Sequence, residues 1–322
     1  MKFFLFLFLL GTSSLATGQE YSWDPNLTQH QRQFANDLSK PWPEISTATP
    51  AQAFESLRPL ILDDGPSKQL LETATQTLNA HGIKDVSEII KYCKDGDQFG
   101  ASGYFDQSGD TIAARISIPG VPVQAWSAAD QAKMKSAYSV KIMKFPFMEI
   151  LAVSTSPEIC IKKGETIRAA YDVFVHELVH FLFRDIFSDV ESKFAGKFEK
   201  DILEFEIMRP GGEFQAFVTA IGAEIRLLKK MGITNPNATR PNFSNEGEIL
   251  DPAPLKSELI SSYKPYYENP ETQLQQEEDR KSAVAWRLEF LKNFVAPYLN
   301  TLNNPKLKTE LQIEIKKVEA LL

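Results

Sequence analysis

Two histidines and a glutamate stand at metal-ligand spacing near the middle of the chain. His176, Glu177 and His180 form a single H-E-x-x-H pattern inside the apolar run 171–183. Residues four apart share one face of a helix, so His176 and His180 can each offer an imidazole nitrogen to one metal ion. Glu177 lies about a quarter of a turn away, where its carboxylate can reach a water molecule on that ion. The pattern therefore predicts hydrolysis, which needs a Lewis acid to acidify water and a base to accept its proton.

A packed helix without a metal ion is the alternative interpretation. Residues 173–183 are apolar nearly all round the predicted helix, and this places the helix in a core. Two imidazoles and a carboxylate buried there without partners would be costly, and a bound metal ion removes that cost. The surroundings favour a metal site over two histidines that merely bind backbone carbonyls.

The third ligand of such a site cannot be another nearby histidine. A catalytic zinc ion takes three protein ligands and keeps one position for water. His30 and His81 lie far upstream and no histidine follows His180, so we expect an oxygen donor. The best candidate is Glu213, which begins a predicted helix after a Gly-Gly turn. The small Ala216 follows it and would let this helix approach the H-E-x-x-H helix closely.

Other interpretations of the third ligand stay open at this point. An acidic residue in the first turn of a helix is favoured by the helix dipole, so Glu213 needs no metal to explain it. Glu204 and Glu206 are the competing ligands, although both sit in an amphipathic helix among charged neighbours.

The H-E-x-x-H pattern followed by E-F-Q-A from Glu213 resembles the glutamate zincins (gluzincins), a clan of metallopeptidases. Its members carry an H-E-x-x-H helix and a ligand glutamate on a second helix, and the resemblance covers residues 165–231. It implies that His176, His180 and Glu213 bind Zn2+ and that Glu177 is the general base. It also implies a peptide or protein substrate.

The sequence departs from the clan where some members place an acidic residue shortly after the ligand glutamate. Phe217 and Thr219 stand in that region. A carboxylate that orients a ligand histidine is a common part of zinc sites, and Asp172 or Glu224 are the candidates here.

A donor for the oxyanion of the tetrahedral intermediate is also expected. Many zincins use a tyrosine or histidine from the C-terminal half. Tyr263, Tyr266 and Tyr267 are candidates, and Arg226 is another. The alternative for the tyrosines is a loop with exposed aromatic side chains.

The N-terminus has the features of a secretory signal peptide. A positive start, an apolar stretch at 3–10 and small polar residues at 11–18 fit that pattern. A transmembrane anchor would need about 20 apolar residues, roughly twice this stretch. We expect a secreted or periplasmic protein. In that setting Cys93 and Cys160 could form a disulfide, or they could be two buried free thiols.

Composition narrows the partners. The net charge of −7 argues against a nucleic-acid partner, because phosphate binding requires a basic surface. No later stretch reaches membrane length, so stable membrane insertion is not expected.

The expected fold class is α+β and mainly helical: a zincin-like fold with a small sheet backing the H-E-x-x-H helix. Helices are predicted at 28–38, 50–62, 66–80, 84–93, 127–138, 165–184, 190–207, 213–230, 277–302 and 305–322. Strands are predicted at 111–118, 147–154 and 159–162. Residues 235–264, which are polar and contain proline, are predicted to form a long loop.

The predicted organisation has four parts. They are a signal peptide at 1–18, an arm or short propeptide at 19–50, a subdomain with the small sheet and the H-E-x-x-H helix at 51–188, and a helical subdomain with the third ligand at 189–322. The predicted function is that of an exported zinc metallopeptidase. The alternatives are a zincin-like scaffold that binds without catalysis, or a zinc amide hydrolase acting on cell-wall peptides.

Overall fold

The computed structural model describes most of the chain after the predicted signal peptide. The described residues are 21–79, 83–93, 103–106, 111–123, 125, 127–135, 139–145, 147–154, 158–183 and 199–322. The signal peptide predicted at 1–18 therefore lies outside them.

Helices dominate the described structure, as expected. They are α1 Gln29–Leu38, α2 Pro50–Phe54, α3 Arg58–Asp63, α4 Gly65–Asn79, α5 Ala128–Lys135, α6 Ile167–Phe183, α7 Glu199–Met208, α8 Glu213–Lys230, α9 Pro252–Tyr267, α10 Pro270–Phe290, α11 Ala296–Thr301 and α12 Pro305–Glu319. A 3-10 turn at Val86–Ile89 and a π-helical turn at Leu291–Val295 complete them. The strands are β1 Ile90–Tyr92, β2 Gly103–Asp106, β3 Thr111–Ser117, β4 Ser139–Phe145, β5 Met148–Ser154 and β6 Glu158–Ile161.

A small sheet of order β1-β6-β2 packs against α6, the helix that carries the H-E-x-x-H pattern. The central strand β6 runs parallel to β1 and antiparallel to β2. A disulfide joins Cys93, at the end of β1, to Cys160 in β6. Since β6 leads into α6 through a short turn, the cross-link holds the strand that delivers the helix.

The segment before α2 also supports the start of α6. Trp42 is completely buried, and its backbone N–H donates to the carbonyl of Glu165 at 2.6 Å. The carbonyl of Trp42 in turn accepts from the N–H of Gly164, whose φ of +90° makes the turn. The Thr166 hydroxyl then caps α6 by accepting from the Ala169 N–H at 3.1 Å. These contacts hold the start of α6 against the segment around Trp42.

A second sheet, β3-β5-β4, is antiparallel throughout and packs away from α6. Ile116 and Met148 from this sheet share a core with Val284, Leu291 and Val295 of the C-terminal helices. The sequence predicted β3 and β5, but β4 was not predicted.

Three hydrophobic cores organise the described residues. The first runs along α6 and includes Trp42, Phe54 and Phe174 together with apolar residues from 223–233. The second joins the antiparallel sheet to the C-terminal helices, and the third packs α7, α8 and α9 together. The first two cores each combine residues from both of the predicted subdomains, 51–188 and 189–322.

Three predicted elements were wrong in detail. Residues 50–62 form two short helices, α2 and α3, and residues 84–93 form a 3-10 turn and strand β1. The predicted loop 235–264 ends in helix α9. Prolines there suggested a break, yet Pro252 occupies the first helical position, where its missing N–H costs nothing.

Among the described residues, no helix combines the length and apolar character that crossing a bilayer requires.

Candidate metal centre

The two helices that carry the predicted ligands pack against each other and run in opposite directions. Near the end of α6, His180 lies beside Gly211 and Glu213 at the start of α8. Near the beginning of α6, Arg168 lies 3.9 Å from Glu224, well along α8. The antiparallel arrangement brings His180 and Glu213 together although the chain between them includes another helix.

The three predicted ligands converge in a buried cluster. The Nε2 atoms of His176 and His180 are 3.1 Å apart. Glu213 Oε2 lies 3.4 Å from His176 Nε2, and Oε1 lies 3.4 Å from His180 Nε2. All three side chains are at most 6% exposed. One potential ligand atom from each residue falls within 4.8 Å of the others, so the group could hold a metal ion.

A backbone carbonyl orients one of the histidines. His180 Nδ1 is 2.6 Å from the carbonyl oxygen of Gly211. A carbonyl oxygen only accepts hydrogen bonds, so His180 Nδ1 carries a proton, and Nε2 is the ring nitrogen that faces the cluster. Such an outer contact fixes the tautomer and the ring orientation of a metal ligand.

The turn that supplies this carbonyl depends on its glycines. Gly211 has φ of +66°, a conformation that side chains disfavour. At Gly212, a Cβ atom would lie 2.5 Å from the Glu206 carbonyl oxygen and 2.8 Å from that of Arg209. Gly212 is also the N-cap of α8, so Glu213 follows as its first residue. The turn therefore places both the orienting carbonyl and the third ligand.

Glu177 is completely buried beside the ligands. Burial alone would lower the pKa of His176, but the carboxylates of Glu213, Glu177 and Asp172 outweigh it and raise that pKa above its usual value. Glu177 also contributes to the raised pKa of Tyr263. The carboxylate predicted as general base is thus within electrostatic range of His176 and of the tyrosine next to Glu213.

Asp172 and Glu224, the two candidates for a histidine-orienting carboxylate, have different neighbours. Asp172 lies one turn before His176 on α6, and its Oδ1 atom is enclosed. Burial, followed by the charge of Glu224, raises the pKa of Asp172, while His176 lowers it. Glu224 Oε1 lies 3.9 Å from Arg168 Nε. Phe217, which stands in the region where some gluzincins place an acid, packs edge-on against the His176 ring at 4.6 Å.

The alternative third ligands have other partners. Glu204 Oε1 is 2.5 Å from Lys256 Nζ on α9. Glu206 Oε2 is 2.5 Å from Arg209 Nη2. Of the three glutamates considered, Glu213 is the one whose carboxylate meets both histidines.

The candidates for an oxyanion donor also fall into different places. The Tyr263 hydroxyl donates to Glu213 Oε2 at 2.9 Å and is buried. Arg226 pairs with Asp64 instead, 13 residues or about 20 Å along α8 from Glu213. It is therefore not part of the metal centre. Tyr267 affects the pKa of Tyr263 and so lies near it, whereas the side chain of Tyr266 is outside the described part.

Sequence reasoning missed two contacts of the centre. The Gly211 carbonyl belongs to a turn interpreted only as a helix break, and no side-chain pattern reveals a backbone acceptor. Tyr263 was considered for another role in a predicted loop. The spacing of Leu255, Leu259 and Tyr263, four residues apart, is the signal that could have placed it on the buried face of a helix.

Among the described residues, His176, His180 and Glu213 form the one group of three or more histidine, cysteine or acidic side chains that could hold a metal ion. Compared with models of known protein families, with curated proteins and with solved structures, the chain finds no match.

Proposed function

We propose that this protein is an exported zinc-dependent metallopeptidase of the gluzincin type with a zincin-like fold. The observation that carries the proposal is the convergence of His176, His180 and Glu213 from two antiparallel helices into one buried cluster. Glu177 stands beside that cluster on the same helix turn as His176.

The donor set fits zinc. Two imidazole nitrogens and one carboxylate oxygen are a common set for catalytic zinc, whereas calcium and magnesium prefer oxygen donors throughout. Two histidines and one carboxylate also suit non-haem iron, but iron oxygenases have no requirement for a neighbouring general base. Glu177 therefore favours hydrolysis and zinc.

Each residue of the candidate site has a defined role in this proposal. Zinc, when bound, supplies a Lewis acid that polarises the scissile carbonyl and acidifies water. His176, His180 and Glu213 hold the ion, and the Gly211 carbonyl keeps the His180 ring turned toward it. Glu177 accepts the proton of the attacking water and delivers it to the leaving amine.

A peptide substrate is supported by the sheet beside the site. Within the described residues, β2 is an edge strand of the β1-β6-β2 sheet, and it packs against α6. An edge strand offers backbone N–H and C=O groups to which an extended peptide can add as a further strand. A strand at the edge of the sheet beside the helix that carries Glu177 supports a peptide as the substrate.

Metal content and turnover test the proposal together. We expect about one zinc ion per purified wild-type chain by mass spectrometry, and loss of zinc in His180→Ala and in Glu213→Ala. Glu177→Gln should keep its zinc but lose at least about 100-fold in turnover on a peptide panel that includes cell-wall peptides.

Each contrary result has a distinct meaning. A wild-type protein that binds no zinc after reconstitution would contradict the metal site itself. Zinc retained in Glu213→Ala would reassign the third ligand. Zinc binding without hydrolysis of any peptide would favour a binding scaffold over an enzyme.

A further inference from the structure

The buried hydroxyl of Tyr263 meets one particular oxygen of the third ligand. Its distance to Glu213 Oε2 is 2.9 Å, and Tyr263 itself is 7% exposed. Glu213 Oε1 lies 3.4 Å from His180 Nε2, and Oε2 lies 3.4 Å from His176 Nε2. The two carboxylate oxygens of Glu213 are therefore in different environments, because the hydroxyl of Tyr263 donates to Oε2.

The helix that carries Tyr263 is held firmly beside α8. Leu255, Leu259 and Tyr263 form a buried stripe along α9 and share a core with Phe217 and Ile221 of α8. Two ion pairs add to this packing: Lys256 with Glu204 at 2.5 Å, and Arg240 with Glu258 at 2.9 Å. The position of the hydroxyl is thus set by the fold rather than by a mobile loop.

We propose that Tyr263 is a positioning residue of the metal centre, whose hydroxyl holds Glu213 through Oε2 and so fixes the orientation of its carboxylate toward the ion. This inference rests on the proposed zinc site. A carboxylate free to rotate would lose side-chain entropy on binding and could offer both oxygens, filling the position that water needs. A hydrogen bond from an outer residue limits both costs.

The test compares zinc affinities of the full mature chain, measured by competition with a chromophoric chelator. Tyr263→Phe keeps the ring and its packing, and we expect a dissociation constant for zinc about 10- to 100-fold higher than in the wild type. Tyr171→Phe is the matched control, because Tyr171 is also buried, on α6, but its hydroxyl pairs with Ser67 at 3.1 Å. The control should bind zinc as the wild type does.

A double-mutant cycle separates positioning from a general loss of stability. If Tyr263 acts through Glu213, then adding Tyr263→Phe to Glu213→Gln should cause little further loss of zinc affinity. Tyr263→His keeps a ring N–H donor, and we expect it to retain more affinity than Tyr263→Phe. The metal-free unfolding midpoint of each variant shows that it is folded.

Several results would overturn the inference. They are an unchanged zinc affinity in Tyr263→Phe, an equal loss in Tyr171→Phe, an equal loss in Tyr263→His, and additive losses in the cycle. Unchanged zinc affinity with reduced turnover would instead make Tyr263 an oxyanion donor. A wild-type chain without zinc affinity would overturn both proposals. Zinc binding that depends on Tyr263, in a protein that cleaves no peptide, would overturn the peptidase proposal alone.

Discussion

The helix pair α6 and α8 carries a buried polar cluster at each end, and the two clusters are completed differently. At one end Arg226 of α8 binds Asp64 through Nε at 2.6 Å and Nη2 at 3.0 Å. The Ser67 hydroxyl donates to the same carboxylate at 2.6 Å, and Tyr171 of α6 lies 3.1 Å from that hydroxyl. Here the chain supplies both the anion and the cation.

At the other end, His176 Nε2, His180 Nε2 and the carboxylate of Glu213 lie 3.1 to 3.4 Å from one another. The Gly211 carbonyl and the Tyr263 hydroxyl contact this cluster from outside. In our proposal the positive charge comes from a bound ion.

In our proposal, one pair of helices serves both structure and chemistry. An arginine side chain completes a cluster permanently, whereas a metal ion completes it only when bound and keeps a position for water. The Asp64 cluster should therefore stabilise the fold under all conditions near neutral pH, and the histidine cluster should do so conditionally.

The largest expected difference is a stabilisation that depends on zinc. At free zinc about a thousand times the dissociation constant, binding should raise the free energy of unfolding by about 4 kcal/mol. Chemical denaturation in chelator and in buffered zinc measures this increment. The wild type and Arg226→Met should show the same increment and His180→Ala should show none. An increment that survives in His180→Ala would place the zinc elsewhere.

The next largest effect is expected at the Asp64 end of the helix pair. Arg226→Met leaves the Asp64 carboxylate buried without its cation, and we expect about 3 kcal/mol of destabilisation in metal-free protein. The zinc dissociation constant should change less than twofold. Denaturant unfolding and chelator competition measure the two quantities.

The control for Arg226→Met is the double variant with Asp64→Asn. It removes the unpaired charge and should recover part of the lost stability. A large change in zinc affinity in Arg226→Met would mean that the two ends of the helix pair are coupled and that their separation here is wrong.

The two ends also differ in how well the sequence predicts them. Local geometry fixes the relation of His176 to His180, since four residues of helix place both rings on one face. Glu213 was predicted from a turn and a helix start, which are also local features. The structure brings Glu213 beside both histidines, and the signals that pointed to each residue lie within a few positions of it.

The residues predicted less well depend on distant partners. Arg226 was considered for the metal centre, but its partner Asp64 lies 162 residues earlier in the chain. Tyr263 contacts Glu213 because α9 packs against α8. The prolines in this part of the sequence favoured the prediction of a loop instead of that helix. When the fold brings two distant residues together, the sequence around one of them does not reveal the charge of its partner or how close the partner lies.

The smallest effect expected is a pH dependence at the Asp64 end. Burial would raise the pKa of Asp64, but hydrogen bonds from Arg226 and Ser67 outweigh it and hold that pKa below its usual value. A group with a lowered pKa in the folded state stabilises the protein above its unfolded pKa, near 4. This contribution is lost as the pH falls through the folded pKa.

The difference in free energy of unfolding between the wild type and Asp64→Asn isolates this carboxylate, because the remaining titrating groups are shared. We expect the difference to be constant from about pH 7 to pH 5, and to shrink below about pH 4 by at most about 1.4 kcal/mol per pH unit, the limit for one proton. Urea unfolding of metal-free protein at a series of pH values measures it. A difference that instead grows as the pH falls from 7 to 5 would require a raised pKa in the folded protein, and the arginine would then not be the group that completes this cluster.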